Sequence, residues 1–375
     1  MTRAALLALG TALATATVAT CAFAADAPKA DAPVQLDARG QALAKAEAAY
    51  KAPRLKFGQP DLQGYWSNAT LTPMARPAKY GTRAVMTPDE VKAAEKGAEQ
   101  EVAEGNKSTD PNAPAAAPKR DAANLRPEFA AAGGDVGGYN RGWLDPGASV
   151  MRVRGEPRTS LILTPNGQFP PRKGGGGQQG FRGGGGGLGS FDNPENRGVG
   201  ERCIIGFGRN GGPPMFPNGF YNNDYYIIQT PQTVAIQVEM NHDLRVIRLN
   251  AEHRKDDTRP YFGDSIGHWD GDTLVVETTN VPQIQNFMGS WKHLKVTERF
   301  TRVGKDRLRY AFTVEDPDTW DKPWGGEYEF GPMPGIIYEY ACHEGNYALP
   351  GILGGARRAE KEAAAKASTA TSGGE

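Results

Sequence analysis

Lys295-Val-Thr-Glu-Arg-Phe-Thr-Arg-Val-Gly-Lys-Asp-Arg-Leu-Arg-Tyr-Ala-Phe-Thr-Val-Glu315 decides the fold class. Two runs rich in β-branched and aromatic residues, Lys295–Val303 and Leu308–Glu315, flank the tight turn Gly304-Lys-Asp306. In the second run Leu308, Tyr310, Phe312 and Val314 alternate with Arg309, Ala311 and Thr313, the period-two pattern of a strand with one buried face. Outward from this hairpin the same signal recurs. Cys203–Phe207, Tyr225–Gln229, Val234–Met240, Leu244–Leu249, Thr273–Thr279, Tyr328–Phe330 and Ile336–Ala341 read as strands. Short turns at Gln229–Thr233, Asn241–Asp243 and Asp270–Asp272 join several of them. No helical crossover fits between these strands, which excludes a parallel α/β domain in this half. The pattern predicts a mainly β protein, an antiparallel meander forming a barrel or sandwich, with peripheral helices.

The start of the chain belongs to a different kind of segment. Arg3 precedes an apolar run of small residues from Ala4 to Thr20, and Ala22-Phe-Ala24 has the form of an A-x-A cleavage site. Residues 1–24 therefore read as a signal peptide, with periplasmic or secreted localisation. Thr20 stands where a lipoprotein box needs a smaller residue before Cys21, which argues against lipidation. With Cys21 removed, Cys203 and Cys342 remain as the only pair, and in an oxidising compartment they are expected as a disulfide. Closing a loop with a sequence separation of 139 residues contributes about 4–5 kcal/mol in the chain-entropy model.

Composition bounds the partners. The 375 residues carry 43 Lys+Arg against 43 Asp+Glu, and this neutrality argues against a nucleic-acid or anionic-membrane partner. No apolar run past the leader is long enough to span a membrane. Residues 25–56 read as a loose N-terminal segment with a helix around Ala42 to Tyr50. Residues 57–358 read as a single β-rich domain, and 359–375 as an exposed tail that continues a helix from Arg357. Within the domain, Thr87-Pro-Asp-Glu90 predicts a capped helix to about Glu104, because Thr at the N-cap and Glu three residues on form a capping box. Residues 105–120 read as loop, and the Gly-rich run 173–189 as a surface insertion without the Lys-Ser/Thr that a phosphate loop requires.

Several segments together resemble a large family of secreted bacterial proteins of uncharacterised function. They are Pro60–Trp66, Asp192–Arg197, Gly200–Cys203, Gly267-His-Trp-Asp-Gly-Asp-Thr-Leu-Val-Val-Glu-Thr278, Lys295–Phe300 and Tyr340-Ala-Cys-His-Glu-Gly-Asn-Tyr347. The resemblance covers roughly residues 57 to 358. It implies export and no particular activity, so no catalytic role is carried over from it.

The residues themselves supply the candidates. Three of the five histidines, His242, His268 and His343, fall in polar clusters near Glu239, Asp264 and Glu344. The other two are His253 and His293. A neutral imidazole takes a proton near pH 7 and a neighbouring carboxylate steadies the cation, so these six residues form the expected acid–base set. Because the long connection to His268 can cross back, His242 and His268 are expected in one pocket at a barrel rim. Trp269, Trp320, Trp324 and Tyr338 are the expected substrate-binding aromatics.

A cofactor is not expected. Three histidines with Glu239 or Asp264 leave zinc as a weaker alternative, and calcium at Asp264, Asp270 and Asp272 is weaker still. Gly263-Asp-Ser265-Ile-Gly267 has nucleophile-elbow letters in a loop-to-strand setting, which does not suit a hydrolase elbow. The reading is an exported, cofactor-independent lyase, hydrolase or isomerase acting on a neutral aromatic or polyhydroxylated small molecule. The alternative is a non-catalytic periplasmic ligand-binding protein with an aromatic pocket.

Overall fold

A computed structural model describes residues 36–105, 145–174, 191, 193–206, 208–219, 221–333 and 335–372. The expected signal peptide, the rest of the N-terminal segment to residue 35, all but the first residue of the loop expected at 105–120 and the Gly-rich run from 175 lie outside the described residues. In chain order the elements are α1 (Ala38–Ala49), β1 (Gly64–Ser67), α2 (Pro88–Gly105), β2 (Arg152–Val153) and β3 (Glu156–Pro157). Then follow β4 (Asp224–Gln229), β5 (Thr233–Val238), β6 (Leu244–Leu249), β7 (Asp264–Asp270) and β8 (Thr273–Thr279). The last are β9 (Lys295–Gly304), β10 (Arg307–Glu315), β11 (Trp324–Pro332) and α3 (Ala348–Ser372).

Nine strands close into one barrel in the order β1-β11-β10-β9-β8-β7-β6-β5-β4, while β2 and β3 pair separately. The alternating residues of β10 behave as their pattern demands: Leu308, Tyr310, Phe312 and Val314 are buried inside the barrel. All barrel pairs are antiparallel except β6–β7. The connection 250–263 carries the chain back along the barrel, so β7 enters from the same end as β6, as a parallel pair requires. The meander is therefore interrupted once.

The fold, not its own pattern, sets the face of strand β6. Both parities of Leu244-Arg-Val-Ile-Arg-Leu249 are partly apolar, so the sequence leaves its face ambiguous. The structure turns Arg245, Ile247 and Leu249 inward and leaves Leu244 and Val246 exposed. Two expected strands are also absent. Cys203 to Gly206 form a turn and bend, and Ile336 to Ala341 belong to no strand of the described residues. The stretch 209–216 instead enters the barrel, where Met215 and Phe216 are fully buried. Its backbone is held by tyrosines from the wall: Met215 N–H donates to the Tyr310 hydroxyl at 2.8 Å, and the Tyr328 hydroxyl donates to the Met215 carbonyl at 3.0 Å.

The helices are more firmly attached than the sequence implied. The Glu90 backbone N–H donates to Thr87 Oγ1, and the Thr87 N–H donates to the Glu90 carboxylate, the reciprocal bonds of a capping box. Helix α1 begins at Ala38 with Asp37 as its cap. Its residue Glu47 pairs with Arg307 and Arg309 of β10. The end of the supposedly loose N-terminal segment is thus docked on the barrel. Helix α3 starts nine residues before the predicted Arg357 and is largely exposed. Among the described residues no helix is long and apolar enough to cross a membrane.

Candidate functional site

The expected cysteine pair is present as a disulfide, Cys203–Cys342, with Cα atoms 5.7 Å apart. It ties the irregular stretch 335–347 to the turn at Cys203. His242 lies against this stretch, its Nε2 3.3 Å from the Tyr338 carbonyl. His343, Glu344 and Tyr338 are exposed on it.

The structure does not bring His242 and His268 together. His242 precedes the first residue of β6, whereas His268 lies one position past Gly267, the partner of Leu249 at the strand's far end. The length of β6 separates them, about 20 Å at a rise of ~3.3 Å per residue. His268 is also exposed on the outer face. Asp264 shares that face but sits four strand positions away, a spacing of about 13 Å that brings side chains together in a helix and not in a strand. Asp264 is engaged elsewhere: by Arg248 at 2.8 Å, by His253 Nδ1 at 3.1 Å and by the Arg254 N–H at 2.7 Å. His253, which the sequence reading passed over, reaches Glu277 with its other nitrogen, also at 3.1 Å. Both ring nitrogens are occupied, so this histidine clamps the 250–263 connection to β7 and β8.

The aromatic candidates are mostly core. Trp320 and Trp324 are buried and pack edge-to-face on each other, while Phe287 stacks on Trp324 and lies tilted against Trp320. Trp269 is half-buried at the His268 end of β7, remote from Tyr338. Ser265 points into the barrel, where its hydroxyl accepts from Arg245 Nε at 3.2 Å and lies 2.8 Å from Thr278 Oγ1. It has no access to a substrate. The acids named for calcium are dispersed onto arginines: Asp264 on Arg248, Asp270 on Arg299 and Asp272 on Arg54. The one His/carboxylate group within metal-ligand spacing among the described residues is His293, Asp316 and Asp318, which is not the set proposed for zinc. Asp316 there accepts from Ser290, Thr319 and the Asp318 N–H, and so acts as a loop staple.

Inside the barrel a polar network is completely paired. Arg245 and Glu298, both fully buried, face each other across it. Arg245 also donates to Thr278 Oγ1 at 2.9 Å, and the Tyr310 hydroxyl donates to Glu298 Oε1 at 2.8 Å. Arg245 and Glu298 thus compensate each other, which is the condition for burying a charge.

The rim formed by β1, β4 and β5 is different. Ser67 of β1 pairs with Asp224, the first residue of β4, and the Glu239 N–H donates to the Asp224 carbonyl at 2.9 Å. Asp224 and Glu239 are therefore cross-strand neighbours. The Asp224 side chain lies on the outer face, opposite in parity to the buried Tyr225, while Glu239 follows the last residue of β5 in a turn. Asp224 lines a cavity of about 500 Å³ bounded by α1, the loop 145–152, β1, β11 and the β9–β10 turn. Its Oδ1 is buried without a hydrogen-bond partner. Burial, with the charge of nearby Asp145 added, pushes the Asp224 carboxyl up to about 6, although a Ser67 hydrogen bond opposes the shift. Burial and the Asp224 charge push Glu239 up to about 7. Asp224 in the cavity wall, and Glu239 behind it and outside the cavity lining, are thus both raised toward neutrality, the arrangement by which proteins hold a proton ready for transfer.

Of this pair the sequence reading contained Glu239 and missed Asp224. The available signal was an acid standing directly before the alternating strand Tyr225–Gln229, without a lysine or arginine nearby in sequence. No family model, no curated protein and no solved structure matches the chain.

Proposed function

We propose that the protein is an exported small-molecule enzyme of the lyase or hydrolase class, with Asp224 and Glu239 as its acid–base pair. The observation that carries this reading is the buried, unpartnered Asp224 Oδ1 in the wall of the 500 Å³ cavity. A protonated carboxyl there can give a proton to a leaving group, and the ionised partner can take one from the substrate or from water. The disulfide and the leader-like residues 1–24 support an oxidising, extracytoplasmic setting.

The cavity wall also bears on the substrate. Ser67, Thr70, Asp224 and Asp306 line it, and its one aromatic residue, Phe330, is buried and offers no open ring face. This favours the polyhydroxylated substrate over the aromatic one. Chromogenic glycosides and esters incubated with the purified protein test the reading. Turnover with a pH profile governed by groups near 6 and 7, reduced about 10²-fold or more in Asp224→Asn, is the expected result. Saturable binding without turnover selects the non-catalytic ligand-binding protein, and turnover surviving Asp224→Asn removes the assigned acid–base role.

A further inference from the structure

A second cavity of about 450 Å³ lies between α1 and α2, and it shares Arg39 and Arg152 with the Asp224 cavity. Its charges are not balanced. Arg152 is held at 2.9 Å by both Asp37 and Glu95, which uses those two acids. In the larger cavity Arg307 is similarly held, at 2.7 Å by Glu329. Arg39 has no such partner. Its nearest carboxylate oxygen is Glu95 Oε1 at 3.9 Å, and that atom already accepts from Arg152 at 2.9 Å and from the Val150 N–H at 3.1 Å. Lys92 and Lys96 stand one helical turn apart on α2 along the same groove, both exposed and without an ion pair. Glu99 is the one lining acid not already paired with Arg152. Arg39 thus stands at the residues the two cavities share, and Lys92 and Lys96 add positive charge to the wall of the smaller one.

We infer that the substrate of the Asp224 site is a polyhydroxylated carboxylic acid of one or two sugar rings. Its carboxylate sits against Arg39 in the groove between α1 and α2, and its hydroxylated body lies in the larger cavity against Asp224. This rests on the acid–base reading above and changes the expected neutral substrate to an anionic one. A planar guanidinium matches a carboxylate with two parallel N–H bonds, while the two lysines act as point charges that draw the acid in. Asp224, in the wall of the larger cavity, presents its carboxyl to a sugar hydroxyl there.

Titration calorimetry of the full chain with D-galacturonate and its neutral twin D-galactose, at low salt, tests the assignment. The acid is expected to bind at least about tenfold tighter than the neutral sugar, as a charge-assisted bond requires. Arg39→Met should abolish this advantage, and Lys92→Met with Lys96→Met should reduce both it and its salt dependence. Asp224→Asn should weaken the acid and the neutral sugar by the same factor, leaving their ratio intact. Equal binding of the two sugars, an advantage that survives Arg39→Met, or inorganic phosphate binding as tightly as galacturonate would each overturn the proposal. The two readings fail separately. A lost ratio with Asp224-dependent turnover of neutral glycosides removes only the carboxylate pocket. An intact ratio with no Asp224-dependent turnover removes only the acid–base pair.

Discussion

Glu298 inside the barrel and Asp224 at its rim are both acids shielded from water, and the protein treats them in opposite ways. Glu298 is fully buried and meets Arg245 and the Tyr310 hydroxyl. Asp224 is less buried, yet it has no cation beside it and its nearest charged neighbours are acids. The first arrangement fixes an ion pair in place and leaves nothing to react. The second leaves a proton whose position the environment has not settled. Burial alone therefore does not single out a candidate acid; burial without a counter-ion, at the edge of a cavity, is what makes Asp224 one.

The largest effect should come from breaking the interior pair. Arg245→Met leaves Glu298 buried and uncompensated, with an expected loss of about 3–5 kcal/mol in chemical denaturation. Replacing both residues by apolar ones of similar size should restore most of that loss, and a single variant within 1 kcal/mol of the wild type would contradict the role given to the pair. Reduction of Cys203–Cys342 comes next, at about 2–4 kcal/mol in the same assay.

At the rim the sign reverses. Asp224 and Glu239 have folded values, about 6 and about 7, above their ordinary ones. Their contribution to stability is therefore fully present below about pH 4 and is lost as pH rises through 6 to 7. The Asp224→Asn, Glu239→Gln double variant should flatten this part of the stability–pH curve, by about 1 kcal/mol once partial exposure is allowed for. A curve that keeps its fall between pH 4 and 7 in that variant would assign the loss to other groups.

The smallest effect is on the surface. Arg83 and the Thr87 N–H hold the Glu90 carboxyl down to about 2, so its contribution is present above the usual carboxylate range and lost as pH falls through it. Glu90→Gln should cost less than about 1 kcal/mol, since solvent screens the pair.

The barrel was legible wherever one parity of a strand was clearly apolar. In β10 Leu308, Tyr310, Phe312 and Val314 leave no choice of face. In β6 both parities are mixed, and the inward turn of Arg245 is explained by Glu298 on β9, more than fifty residues away. The parallel entry of β7 was hidden for a related reason: the connection 250–263 is long enough to run either way, and the pairing of Ile247 with Ser265 decides it.

The candidate site was legible in part. Glu239 stands in a polar turn and was named for acid–base work with His242, whereas Asp224 gains its character from burial and from the charge of Asp145, which only the fold sets beside it. The histidines drew attention by being scarce and polar in context. Strand ends are polar for reasons of solvation, and His242 and His268 turned out to mark opposite ends of the β6–β7 pair.

Carboxyl carbon chemical shifts of Asp224 and Glu239, followed by NMR from pH 3 to 9 and assigned through Asp224→Asn and Glu239→Gln, test the central claim most directly. Midpoints near 6 and 7 are expected, with the Glu239 midpoint falling when Asp224→Asn removes the neighbouring charge. Two midpoints at or below about 4.5, the range of ordinary solvated carboxyls, would contradict a proton held at this rim.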